Sequence, residues 1–257
     1  MLRTVTPIKG GSKIHVEYET YDELIQACSK PHPGGRVARE SESPDSSGWA
    51  GTRDYPSAMT LMVQGWPQGR DRMLKALEIS NRISKPAVIS TTDYDVGGAY
   101  PNVALAVAGD PACMVDLGDL SNLIRPIVKI IIPRVVSASV STQAIENFGG
   151  ALLASIDRLE AEGRQVDLIG RFLVVDAPYR MMIDVPLKSP GEPLDIDRLA
   201  YSLVHPAFIR RIMFRAYELD PTVGPHTRYY GIPADPLPDE IEGAIWIPGP
   251  SHYDLNV

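Results

Sequence analysis

The stretch from residue 127 to residue 185 limits the fold more than any other part of the chain. It opens with IVKIIIPRVV (127–136), a nearly unbroken apolar run of the kind that forms strands buried on both faces. Pro133, near the end of that run, predicts a bulge or a sheet edge at that point. A helix from about 142 to 162 follows. Its apolar residues Ile145, Phe148, Leu152, Ile156 and Leu159 recur every three or four positions, and Gly163 stops it. QVDLIGRFLVV (165–175) reads as a second strand and YRMMIDV (179–185) as a third, with Ala-Pro between them marking a hairpin turn. Strand, long helix, strand is the βαβ unit, whose strands run parallel with a right-handed crossover. The expected class is therefore α/β: an open, mainly parallel sheet with helices on both faces, Rossmann-like in layout.

Further elements follow from the same periodicities. Asp54 and Ser57 can cap a short helix carrying Ala58, Leu61 and Met62, ending near Gly65-Trp66-Pro67. A second helix spans 70–83, with Met73, Leu74, Leu77 and Ile83 on one face. Two more, 194–204 and 206–219, are divided at His205-Pro206, where proline suits a first helical turn. Shorter strands are expected at 86–92 and 244–247. The 23 prolines cluster in connections, and residues 29–54 are rich in Ser, Gly, Pro and charge. The chain thus divides into an N-terminal extension and surface loop (1–54), an α/β core (55–219) and a Pro-rich C-terminal segment (220–257) completing the same domain.

Composition narrows the function classes. At 44% apolar and 22% charged residues the chain is of globular type rather than disordered. A formal charge of −7 argues against bulk attraction to nucleic acid, which needs Lys and Arg to displace counterions. No apolar run approaches the roughly 20 residues of a membrane span, and the first residues lack the apolar core of a secretory signal. Cys28 and Cys113 form no CxxC pair and read as free thiols. A cytoplasmic protein is expected.

Three sets of residues invite a functional reading, and each has a simpler one. Ser137, Ser139 and Ser141 with Thr142 follow the first strand and lead into the long helix, where hydroxyls can hold an anion or a divalent metal. Simple capping of the helix by Ser141 or Thr142 explains the same pattern. Asp93 and Asp95, with Asp116 and Asp119, could assemble a two-metal centre, with Mg²⁺ as its ion. Their glycine neighbours speak equally for turn chemistry. Arg210, Arg211 and Arg215 lie near one another on the 206–219 helix, opposite the apolar stripe of Phe208, Ile209, Ile212, Met213 and Ala216. They read as a basic face able to grip phosphates, to pair with Glu218 and Asp220, or to meet acids of a neighbouring subunit. His205 reads as structural. No phosphate loop, GxGxxG, GxSxG or metal-ligand histidine spacing is present, so triad hydrolysis has no support and no cofactor is expected.

Two resemblances add to this. A strand feeding serines and a long helix resembles von Willebrand factor A-type domains, but Ser137 stands where that motif has Asp, so the resemblance implies a degenerate metal site. Separately, SGWAGT (47–52), DYDVGG (93–98) with AGDPACM (108–114), FGGA (148–151) to LEAEG (159–163), and DRLAY (197–201) to HPAFIRR (205–211) occur in this order. Together they make residues 48–218 similar to a family of uncharacterised proteins carried by tailed bacteriophages and related mobile elements. That implies action in the host cytoplasm or in the virion, and it supplies no catalytic residue. The expected function is a non-enzymatic interaction or assembly protein of a phage, self-associating or binding a protein partner. The alternatives are a protein acting on nucleic acid or nucleotides with a divalent metal, and an inhibitor or adaptor of a host protein.

Overall fold

The βαβ unit forms as its sequence requires. The computed structural model describes residues 1–32, 40–43, 47–81, 93–97, 100–116, 125–136, 140–176, 178–193, 195–222 and 232–249. Within it β6 (Ile127–Pro133) leads to α6 (Thr142–Ala161) and returns as β7 (Gln165–Asp176), parallel to β6 from Ile127↔Gln165 to Pro133↔Arg171. The strand stops at Pro133, whose nitrogen cannot donate to a ladder. The Ser141 hydroxyl accepts the Ala144 N–H at 3.2 Å and caps α6. Gly163, at φ 82°, takes the left-handed conformation that ends it.

β7 then doubles back on β8 (Tyr179–Lys188) as the expected antiparallel hairpin. The remaining partners of the sheet come from the ends of the chain. β2 (Gly11–Glu17) lies parallel to β8, β1 (Leu2–Ile8) antiparallel to β2, β10 (Ile245–Trp246) parallel to β6, and β9 (Ile232–Pro233) antiparallel to β7. The order is β1-β2-β8-β7-β6-β10, an open α/β sheet. It is mixed, with as many antiparallel ladders as parallel ones, because hairpins bring in β1 and β8 and the C-terminal part of the chain returns to lay β9 against β7. Residues 2–17, read from sequence as part of an extension, are two strands of this sheet. A separate three-stranded sheet joins β3 (Asp93–Asp95), β5 (Met114–Asp116) and β4 (Tyr100–Pro101). The strand expected at 86–92 lies outside the described residues.

Alternation along the strands decides where the helices go. Ile14 and Val16, Ile130 and Ile132, Val166, Leu168, Phe172 and Val174, and Met181, Ile183, Val185 and Leu187 share one face and one apolar core. Against them pack α1 (Tyr21–Cys28), α3 (Tyr55–Gln64), α4 (Pro67–Asn81), α6, α7 (Ile196–Val204), a π-helix (Phe208–Met213) and α8 (Phe214–Glu218). Among the described residues these helices touch one another and make one layer on that face; two further short helices, α2 (Ser47–Ala50) and α5 (Val103–Val107), also form. On the opposite face the same strands carry His15, Arg171 and Asp184, which a layer of apolar helix would leave without partners. Among the described residues that face is covered by the chain around a 3₁₀ turn, Pro238–Glu240.

Candidate functional site

The serine-rich entry to α6 is only partly in view. Ser141 is the helix cap and Thr142 the first helical residue; Ser137 and Ser139 lie outside the described residues. Arg134, just past β6, is fully buried and donates to the carbonyls of Pro133 (2.7 Å), Ser202 (2.8 Å) and Leu203 (3.1 Å). The last two belong to the C-terminal turn of α7, the negative end of a helix dipole. Burial pulls the Arg134 guanidinium down to about 9. Its bonds make it a cap for α7.

Arg210, Arg211 and Arg215 do not form a solvated basic face: all three are buried. The apolar stripe read from sequence is buried as expected, and the opposite side of the helix is covered as well, so the helix is enclosed all round. The guanidiniums meet the 40–54 segment instead. Arg211 donates to the carbonyls of Ser41 (2.9 Å) and Thr52 (3.0 Å). Arg215 lies 4.2 Å from the centre of the Tyr55 ring and pairs with Glu42 and, at 3.5 Å, Glu218. Glu218 in turn accepts the Ser41 N–H at 2.9 Å and faces His32 at 3.5 Å. Arg210 stacks 4.3 Å over Trp49 and donates to the carbonyls of Trp49 and Val140. The cluster clamps the loop onto the helical layer.

The aspartates divide. Asp93 stands opposite Asp116 in the β3–β5 ladder and Asp95 opposite Met114, while Asp119 lies outside the described residues. Among the described residues no three His, Cys, Asp or Glu groups gather to hold a metal ion, and no helix is long and apolar enough to cross a membrane. Both cysteines are free, Cys28 in the core. A cavity of about 670 Å³ opens beside α4 and α6, with Arg72, Gln143, Glu146 and Asn147 on its wall and Met73 and Val204 beneath. Arg72 pairs with Glu146, and the Gln143 amide donates to Asn147, so this wall satisfies itself.

β1 differs from every other strand of the large sheet. Six of its seven residues are exposed, on both faces, and Leu2, Val5 and Ile8 are 59%, 46% and 43% accessible. Its orientation follows from its neighbour. The Ser12 N–H donates to the Pro178 carbonyl and the Tyr18 N–H to the Asp184 carbonyl, each at 3.0 Å, so the even-numbered residues of β2 face β8. Gly11, Lys13, His15 and Glu17 therefore face β1, pairing with Ile8, Thr6, Thr4 and Leu2. Arg3, Val5 and Pro7 turn their backbone groups outward, to an edge that carries no ladder among the described residues. Pro7 sits where its missing N–H costs no bond to β2. Arg3 is anchored beneath by Asp220, at 2.7 and 3.2 Å.

The comparisons with known proteins bear on the whole of this arrangement. A family model described as a domain of unknown function, DUF7192, matches residues 4–255. The chain belongs to the DUF7192 family. A comparison with curated proteins found no match, and a comparison with solved structures found none. In this DUF7192 domain the feature that sequence reading passed over is β1. Its signal is the β-branched run LRTVTPI set against the alternating SKIHVE across Lys9-Gly10, a two-residue turn in which Gly10 adopts φ 86°.

Proposed function

We propose that this DUF7192 domain is a non-enzymatic interaction or assembly protein whose contact surface is the outer edge of β1. The observation that carries this reading is a seven-residue edge strand exposed on both faces, with Leu2, Val5 and Ile8 in solvent. Soluble proteins normally shorten, charge or cover such an edge, because its outward N–H and C=O groups are a template for another strand. Here one proline and one arginine, paired with Asp220, guard the strand. Strand addition supplies main-chain bonds, and the apolar side chains on either face add area. We propose, on the resemblance to proteins of tailed bacteriophages, a setting in the host cytoplasm or the virion. The inward-turned arginines also weigh against phosphate gripping.

A photo-crosslinking amino acid at Val5, in the intact protein within cells, tests this reading. The control is Val63 on α3, 61% accessible and outside the edge. A discrete protein adduct at position 5 and none at 63 is the expected result. Equal labelling at both positions, or none at Val5, overturns it.

A second reading, a divalent-cation site for nucleic-acid or nucleotide chemistry, rests on the Asp93↔Asp116 register, which sets two acids at directly opposed positions. A melting temperature raised by Mn²⁺ in the wild type and not in Asp116→Asn would favour it.

A further inference from the structure

We infer that the strand docking on β1 is the β1 of a second copy, running antiparallel about a two-fold axis at Thr4. This inference rests on the edge-docking reading above. The outward groups of the edge belong to Arg3, Val5 and Pro7, and Pro7 has a carbonyl but no N–H. Five two-fold registers bring such an edge against itself, and the two that set Pro7 opposite Val5 or opposite Pro7 leave outward carbonyls without a donor at the axis. With Arg3 opposite Arg3, two cations meet across the axis, which is destabilising. With Val5 opposite Val5, Arg3 faces Pro7, and a carbonyl of each Arg3 finds no donor. With Arg3 opposite Val5, each of these residues both donates to and accepts from its counterpart, and Pro7 falls at the end of the ladder opposite Met1, an exposed residue whose carbonyl water can serve.

The side chains agree with that register. On the face shared with His15, Thr4 meets Thr4 and Leu2 meets Thr6 of the second copy, a threonine pair flanked by apolar contacts. On the helix-side face, each Val5 lies beside the stem of the other copy's Arg3, whose charge is held by Asp220. No like charges oppose one another. The result is one sheet running through both copies, closed by its two-fold and leaving no further β1 edge exposed. An interface built mainly on one strand from each copy is of the small, reversible kind.

Cysteine pairing tests this in the full chain carrying Cys113→Ser; Cys28 is in the core and does not compete. Thr4→Cys puts two thiols on the axis, in a pair without hydrogen bonds where the Cα atoms approach to about 4.5 Å, a disulfide distance. Thr6→Cys puts them two residues off the axis on opposite sides. Under mild oxidation Thr4→Cys should form the covalent dimer roughly ten-fold faster than Thr6→Cys. Light scattering should show wild-type mass rising from one chain to two with concentration, while Val5→Lys, which sets a lysine beside the second copy's Arg3, stays at one chain with an unchanged circular dichroism spectrum. A dimer that forms equally in Val5→Lys, or that crosslinks faster through Thr6→Cys, overturns the inference. So does wild type that remains one chain throughout. In that last case a Val5 photo-adduct with a different protein leaves edge docking standing, and the absence of any adduct removes both.

Discussion

His205 sits between the rings of Trp66, edge-on at 4.7 Å, and Tyr201 at 5.4 Å, and its Nδ1 accepts the Ala207 N–H at 3.1 Å. The neutral ring, protonated on Nε2, is the form that this bond selects. Burial holds its pKa down at about 4, well below the ordinary 6.5. A base held neutral in the fold and free to charge when unfolded favours unfolding as acid is added, from pH 6.5 down to about 4. The slope is about 1.4 kcal/mol per pH unit, or about 3 kcal/mol over the window. Glu240 does not blur this. Burial by itself would raise its carboxyl, but Arg180, the Leu237 N–H and Lys13 hold it at about 2, so its stabilisation is lost only below pH 4.5. Urea unfolding at pH 6.5 and 4.5 should therefore show a large loss in the wild type and a small one in His205→Asn, which keeps an acceptor for Ala207. Equal losses in both would remove His205 from the account. The structural reading of His205 was available from sequence, since His-Pro at a helix start leaves the ring to pack. The fate of Arg210, Arg211 and Arg215 was not, because the segment that covers them, with Ser41, Glu42, Trp49 and Thr52, lies more than 150 residues away in sequence and carries no signal of where it packs.

Among the elements, α6 and α7 cross where Gly149 meets Val204. A Cβ on Gly149 would come within 2.4 Å of the Val204 Cγ2 and 3.4 Å of the Leu203 carbonyl oxygen. The glycine is thus the condition for the two helices to approach, and it outweighs the roughly 1 kcal/mol by which alanine is the better helix former. Gly149→Ala should cost about 1–3 kcal/mol by overpacking. Adding Val204→Ala, which removes the colliding methyl, should recover most of that loss, and thermal melts of the single and double variants would show it. If the double variant is merely the sum of two losses, the contact is not the cause. The long elements were legible because period carries them: a buried run for β6, a three-four stripe for α6, alternation across a proline turn for β7 and β8. Short ones were less so: the strand expected at 244–247 is β10, but the two-residue β9 has no period to read, and β1 is exposed on both faces, so its pattern sorts no apolar side from a polar one.

At the scale of the whole molecule, among the described residues, the helices account for one face of the sheet, while on the other a polar lattice lies beside the buried Ile131, Leu173 and Met182. Arg171 grips Asp184 through two bonds of 2.6 Å, Asp184 also meets His15 at 3.0 Å, and a further Arg171 nitrogen donates to the Glu240 carbonyl at 2.5 Å. The Glu240 carboxylate, fully enclosed, takes Arg180 at 2.9 and 2.7 Å and Lys13 at 3.1 Å. Glu240 therefore ties the 232–249 segment to β2, β7 and β8 together, and the Ile247 N–H adds a bond to the Ile131 carbonyl of β6 at 3.0 Å. A segment held in this way opens with the sheet and not before it. Glu240→Gln leaves two cations short of their acid and should cost about 2–3 kcal/mol, the value of charged hydrogen bonds at a mostly enclosed site. Hydrogen exchange distinguishes an integral segment from an appendage: in Glu240→Gln the Ile247 amide and the central amides of β6 and β7 should speed up by the same factor. Faster exchange at Ile247 alone, with β6 and β7 unchanged, would mean that the C-terminal segment is a separable cover and that the helical layer and sheet hold without it.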